Sequence, residues 1–533
     1  MNDKLIRGGT VLTDPAALPD GGLLEEAAVL VRGDSVAEVG PYEELRQRHP
    51  QAEQIGSASH VVMPGLINTH HHGWGITSFQ LGTLDDYLEQ WIPVIWGLKP
   101  LDRYLEVLYG DLQNLRSGVT THLHAAYFRD WAYSRSFRDH TYASLRAHAD
   151  SGIRTSYAVQ VLNRNTFVYE DDDEFLPRLP RELAETLREF VGPTGSDAVP
   201  DDYFELLETI HAKFADSSRT RIMLAPVNPV WCTDALLQRA RQTADSLGTG
   251  LHIHLNETPF QRQYTNRLYG RTAVAHLERL GILGPDVSLG HAVWLDENDM
   301  DICAATGTSI CHNPTSNLRL RNGILPVARM LEKGVNVSIG MDGNSFADDE
   351  DMLAEMRLAH KLSLLPRGLE PAGAPTSFDI LRMATVNGAR SAGQSPAIGS
   401  LLPGSKADIV VLDGGRMRYP YTAPSIHVVD SILYRAKHGD VETVLVDGEV
   451  VLRDRQFVNV DEAETAQRLR ALAEAPPSPE VARWQQAMAE LQRHTREFYT
   501  GWPAVEERPC YAVNCGHEAA ARVPVAALEE EAS

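Results

Sequence analysis

The chain has 533 residues, 43% of them apolar, and a formal net charge of −23 at pH 7. That length suits one large domain with one or two smaller ones and allows a substantial core. The acidic balance argues against a nucleic-acid partner, offers no polybasic anchor for an anionic membrane, and favours solubility.

Met1–Ile6 lacks the apolar stretch of a signal peptide. No run approaches the ~18 apolar residues that span a bilayer. A cytoplasmic location and no membrane or nucleic-acid partner are therefore expected. Lys4–Gly9 and Ala28–Asp34 read as short strands with turn signals. From residue 63 onward, short apolar strands alternate with helical stretches. Ser156–Val161, Arg221–Pro226, Gly250–Leu255, Val287–Gly290, Ser309–Cys311 and Val335–Ile339 are the strand candidates, and Asp234–Leu247 and Met352–Leu364 have helical spacing. Such alternation means a parallel sheet. No Gly-x-Gly-x-x-Gly follows its first strand, so a closed (β/α)8 barrel fits better than an open dinucleotide-binding sheet.

The run Glu170-Asp171-Asp172-Asp173-Glu174, with Pro177 and Pro180 behind it, reads as a solvated insertion loop. Ala407–Asp413 and Val444–Val451 are strands again, the second with an Asp-Gly turn. Both chain ends are thus expected to build one small β-sandwich domain. The expected division is 1–62 and 398–456 for that domain, 63–397 for the barrel, and 457–533 for a helical, then irregular, extension. Five cysteines in this length make no disulfide framework. Cys510 and Cys515, with His517 nearby, lack a second ligand pair at a standard spacing and read as ordinary thiols.

Four strands end in chemistry-bearing residues. Met63-Pro64-Gly65-Leu66-Ile67-Asn68-Thr69-His70-His71-His72 is an apolar strand leading into three histidines. Side chains alternate along a strand, so His70 and His72 share a face and His71 points away. Two such imidazoles can grip one metal ion, and neutral imidazole suits Zn or Fe. Leu251-His252-Ile253-His254 ends the same way, with His254 as a third ligand candidate, Glu257 placed to shuttle protons, and His252 one step deeper as support. Val287–His291 is capped by histidine, and Val335–Ile339 leads to Asp342. Barrel active sites collect at the C-terminal ends of strands, where all four positions lie.

These motifs resemble those of the amidohydrolase superfamily, in the branch of cytosine deaminases, guanine deaminases and triazine hydrolases. Pro64–His72 resembles the first metal motif and His254-Leu255-Asn256-Glu257 the His-x-x-Glu. His291, the run His312–Asn317, Gly340-Met341-Asp342-Gly343, Thr385–Ala389 and Gly404–Ile409 follow in the family's order. The resemblance covers residues ~4 to ~455. It implies that His70, His72, His254 and Asp342 hold one divalent ion, Zn in preference to Fe, and that Glu257, His291 and Asp342 are catalytic. No lysine is offered at the fourth barrel strand as a carbamate bridge, which favours one metal over two. It also implies a homodimer or larger homo-oligomer.

A bound divalent ion lowers the pKa of its water toward ~7. The expected reaction is hydrolysis of a carbon–nitrogen bond other than a peptide bond, deaminating a small N-heterocycle such as a purine, pterin, pyrimidine or triazine. Opening of a cyclic amide or displacement of chloride is the alternative, and a non-catalytic scaffold of the same fold is a remote one. The loop Ala225-Pro226-Val227-Asn228-Pro229-Val230-Trp231-Cys232 lacks the histidine that many members of the branch carry there, which puts nucleoside-type contacts in doubt. Trp74, Gln80, His124, Asn228, Trp231 and Asn317 are the substrate-contact candidates, and the Gln160–Asn165 stretch also faces the expected pocket.

Overall fold

The computed structural model describes residues 3–126, 137–191, 201–343, 349–364 and 373–502; Cys510 and Cys515 lie outside them. Strands β1 (Lys4–Leu12), β2 (Leu23–Arg32), β3 (Ser35–Pro41) and β4 (Glu53–Pro64) come first. β1 runs antiparallel to β2 and parallel to β4. Gly65 then hands the chain to a parallel sheet of eight strands. These are β5 (Leu66–His71), β6 (Val119–Ala126), β7 (Arg154–Val161), β8 (Thr220–Pro226), β9 (Leu251–Leu255), β10 (Val287–His291), β11 (Ser309–His312) and β12 (Asn336–Ile339). The sheet curls into a barrel, because just past β12 the amides of Met341 and Asp342 donate to the His70 carbonyl of β5 at 3.2 and 2.8 Å. Nearly every barrel residue is buried, as parallel strands covered by helices on one face and a packed interior on the other require.

The chain then returns to the first sheet as β13 (Ile409–Asp413), β14 (Val441–Val446), β15 (Glu449–Arg453) and β16 (Gln456–Phe457). β13 lies antiparallel to β4, Val411 opposite Val62, so both chain ends share one sheet. Ile6, Val29, Val62, Ile409, Val411 and Leu445 form its own core. Asp447 and Gly448, at φ +54° and +75°, make the tight turn expected of Asp-Gly between β14 and β15. A buried fork fastens this sheet to the barrel. Arg154 at the start of β7 donates to both oxygens of Asp408, at 2.8 and 2.9 Å, and to Asp447 Oδ1 at 2.9 Å.

Three helices near the barrel mouth matter for function: α1 (Leu88–Trp96), α2 (Arg103–Arg116) and α3 (Phe137–Ser151). The extension contributes α4 (Glu462–Glu474) and α5 (Pro479–Phe498). α5 is no free appendage. Its Trp484, Met488 and Leu491 are buried against α1 beside Trp91 and Trp96, and Trp484 Nε1 donates to the Trp96 carbonyl at 2.8 Å. The acidic run 170–174 is likewise more than a solvated loop. Asp172 is buried and accepts from the amides of Thr166 and Phe167, pinning the segment that follows β7. No helix among the described residues is long and apolar enough to cross a membrane.

Candidate active site

The C-terminal ends of β5, β9, β10 and β12 open on one mouth, and the polar residues there turn toward a common point. His70 Nε2 and His72 Nε2 lie 3.1 and 3.0 Å from Asp342 Oδ1. His254 Nε2 lies 3.5 Å from His72 Nε2. His291 Nε2 lies 3.6 Å from Asp342 Oδ2, which also accepts from Ser316 Oγ at 2.6 Å. His291 and Asp342 sit at φ +63° and +64°. That left-handed backbone costs a non-glycine residue roughly 1–2 kcal/mol, and here it swings both side chains inward as their strands end.

The hydrogen bonds on the far side of each ring decide which atoms face the centre. His72 Nδ1 donates to the Ala125 carbonyl at 2.7 Å and His254 Nδ1 to the Val227 carbonyl at 3.0 Å. In a neutral imidazole this leaves each Nε2 as an acceptor. His70 Nδ1 meets His252 Nε2 at 2.7 Å, and His252 Nδ1 meets Ser288 Oγ at 2.6 Å. His252 thus backs His70 from deeper in the barrel. His70 Nε2 and Asp342 Oδ1 are fully buried without a hydrogen-bond partner. Acceptor atoms packed this closely repel one another unless a cation lies between them, and three imidazoles with one carboxylate are a donor set suited to Zn or Fe.

Burial pushes the His70 and His254 imidazoles well below their usual pKa, which keeps them neutral as ligands must be. Burial alone would raise Asp342, but His70 and His291 beside it hold its carboxyl well below the usual range. Glu257 goes the other way: burial, then the charge of Asp342, push its carboxyl well up. Asn322 Nδ2 donates to Glu257 Oε1 at 2.7 Å, so a proton on Glu257 resides on Oε2. Burial also lowers His291, whose Nδ1 donates to Asn317 Oδ1 at 3.0 Å. Two carboxyls whose environments push their pKa values apart therefore share a site, the pairing that acid–base work uses.

His72, His254, Glu257, His291 and Asp342 form one side of a cavity, and Trp74 and Trp231 line it too. Gln160, at the inward face of β7, also lines it. Four other candidates do not. Gln80 is exposed, and its Oε1 accepts from the Thr77 amide at 3.0 Å, closing its own turn. Asn228 is buried and braces Gln261, whose Oε1 in turn accepts from the Glu257 amide at 2.9 Å. Asn317 acts on His291 from outside the cavity.

His124 faces away from the barrel interior altogether. In β6 the alternate residue Leu123 packs inside with Ala158, Met223 and Ala225, so His122 and His124 face α2 and α3. There Arg103 Nη2 donates to His124 Nε2 at 3.1 Å, His124 Nδ1 to His148 Nε2 at 2.9 Å, and His148 Nδ1 to Asp111 Oδ2 at 2.8 Å. His122, His124 and His148 are close enough to be read as a second metal group. The relay argues against that reading, since Arg103 forces the proton of His124 onto the nitrogen that would have to bind. Arg103 Nη2 also donates to the His72 carbonyl at 3.0 Å. Gly73, at φ +67°, passes so near that a Cβ there would lie 2.4 Å from His124 Cε1. Sequence reasoning missed Arg103 and Asn322, which have no motif of their own, and gave no role to Ser316 within the run His312–Asn317.

The amidohydrolase family profile matches residues 61–451, and a bacterial imidazolonepropionase-like composite domain matches residues 27–52. A 5'-deoxyadenosine deaminase of Methanosarcina mazei is 32% identical over 484 residues, covering 89% of this chain and 98% of that one. The structure of an adenosine deaminase from Xanthomonas campestris with bound zinc is 25% identical, with a TM-score of 0.72 over 92% of this chain and 99% of that one. An atrazine chlorohydrolase of Arthrobacter aurescens, complexed with zinc, shares the fold at a TM-score of 0.70 and 23% identity, over 88% of this chain and 99% of that one. A profile spanning every strand end just described, with a relative matched almost end to end, places the chain in the amidohydrolase family: it is a metal-dependent hydrolase.

Proposed function

We propose that this protein hydrolytically deaminates a small N-heterocycle, releasing ammonia. The observation that carries the reading is the convergence of one set of ligand atoms beside a buried carboxyl. Acceptor atoms of His70, His72, His254 and Asp342 converge beside Glu257, a carboxyl whose pKa burial pushes up. A divalent ion, Zn in preference to Fe, held by those four residues would supply an acidified water and polarise the attacked carbon. Asp342, whose Oδ2 accepts from Ser316 Oγ, takes a proton from the attacking water. His291, whose Nδ1 donates to Asn317, keeps Nε2 as an acceptor and aims that water by accepting its hydrogen bond. Glu257 protonates the ring nitrogen next to the attacked carbon. Asp342 passes its proton to the exocyclic amine, the C–N bond breaks, and ammonia leaves. The water's remaining proton returns to Glu257, so both carboxyls end as they began.

The test is ammonia release from aminopurines, aminopterins, aminopyrimidines and aminotriazines by the Zn-loaded enzyme and by chelator-treated enzyme. Metal-dependent ammonia is the expected product. Halide from chlorinated analogues, or ring-opened cyclic amides, in place of ammonia from every amine would overturn deamination while leaving a hydrolase.

A further inference from the structure

Opposite the polar centre the cavity is of another character. α1 presents Leu88, Trp91, Ile92, Ile95 and Trp96 to it, the i, i+3, i+4, i+7, i+8 stripe that a helix uses to cover an apolar core. Here the stripe lines a cavity. Trp74, tilted 32° against His72 at 5.6 Å between ring centroids, and Trp231 extend the apolar wall. Leu162 and Val227 line it from just past the ends of β7 and β8. Among the described lining residues, the polar side chains away from the metal centre are Gln160 and Thr166. The one carboxylate on α1, Glu89, does not line the cavity, and its Oε1 accepts from Tyr169 and Thr258 instead.

We infer that the substrate is an uncharged, planar N-heterocycle whose substituent, on the side away from the scissile amine, is apolar, an aryl or branched alkyl group in place of a sugar. The inference deepens the deaminase reading and rests on it for the orientation of the ring. A ribose set against indole and isobutyl groups would lose water around its hydroxyls with two neutral side chains to replace it. An aryl or alkyl group there gains both burial and ring contact. The polar end of the cavity fixes the reacting carbon, and the apolar wall selects what the ring carries.

The test uses the full-length Zn-loaded protein and three matched pairs: 9-benzyladenine with adenosine, 1-benzylcytosine with cytidine, and an isopropylamino- with a 2-hydroxyethylamino-substituted aminotriazine. Ammonia release gives kcat/KM, and quenching of tryptophan fluorescence gives Kd whether or not a core reacts. The apolar member is expected to lead by about tenfold or more in every core that reacts or binds, the scale of hydrophobic-pocket discrimination. Ile92→Asn, at a half-buried wall position, and Leu162→Asn, on a different element, are expected to shrink that lead while both proteins keep their metal. Equal or reversed preference, or no binding by any apolar member, overturns the inference. Discrimination in binding with no ammonia from any pair overturns the deaminase reading and supports the wall.

Discussion

Replacing Glu257 with glutamine separates proton delivery from shape. The carboxyl accepts from Asn322 through Oε1, leaving Oε2 to carry the proton. A glutamine keeps the accepting oxygen and puts an amide where the acid was, so ring placement and metal content should persist. What goes is the acid, and a positioned general acid contributes about 10²–10⁴ in rate, or ~3–5 kcal/mol of barrier. Ammonia release under saturating substrate should fall by that factor. The same ring carrying a leaving group that needs no proton should lose far less. The pH response should change as well. Burial and Asp342 raise the Glu257 pKa, so wild-type activity needs a protonated group and declines as pH climbs through that raised value. The variant should lack this limb. Stability falls in the same direction: a carboxyl harder to ionise folded than unfolded costs stability as pH rises from its unfolded pKa to its folded one. The variant's stability relative to wild type should therefore be smallest in acid and grow toward neutral pH. Turnover within tenfold of wild type, with metal retained, would refute the assignment.

Asp342→Asn removes both a ligand charge and the proton acceptor. Metal measured by plasma emission after dialysis should fall well below one per chain and ammonia release by several orders of magnitude; a fully loaded, active variant would contradict both roles. Arg103→Met should leave the fold intact but weaken zinc affinity about 10–100-fold in chelator competition, the cost of losing support behind a ligand, because the His72 carbonyl and His124 both lose their donor. An unchanged affinity would make Arg103 merely structural. Arg154→Met strands the buried carboxylates of Asp408 and Asp447 and should cost about 3–5 kcal/mol in denaturant unfolding. Adding Asp408→Asn should recover part of that loss, and a neutral single variant would show that the fork does not hold the sheet to the barrel.

The barrel and the polar residues gathered at its mouth were legible because each strand is a short apolar run that stops at a polar residue, a pattern that survives without knowledge of packing. The two His-x-His stretches show where that legibility ends. Both β5 and β6 offer histidines at i and i+2, yet His70 and His72 face the barrel interior and His122 and His124 face the helices. Register decides it: His124 lies beside His71 across the β5–β6 ladder and takes the outward parity of that residue. Nothing local to either strand encodes this, since both faces of a parallel barrel strand are buried. Gln80 and Asn228 failed for a related reason. A loop's distance from a motif in sequence says little about which way its side chains turn. The wall was harder still, because the stripe on α1 looks like any amphipathic helix and its backing comes from Trp484 and Met488, nearly four hundred residues away.

That division has a mechanical logic. The reacting groups stand on barrel strands, locked by backbone carbonyls, by the His252–Ser288 pair and by Asn317, so their geometry is set by the most rigid part of the molecule. The apolar wall stands on a helix held from outside by α5, through Trp484 to the Trp96 carbonyl and Gln492 to the Gln90 carbonyl at 3.2 Å. Substitutions in α1 or α5 can therefore reshape what the pocket accepts without moving a metal ligand, while a change at Arg103 reaches the centre without touching the wall. A chain can in this way keep one set of strand-end residues and yet present a different surface beside them, so the wall can vary independently of the polar centre.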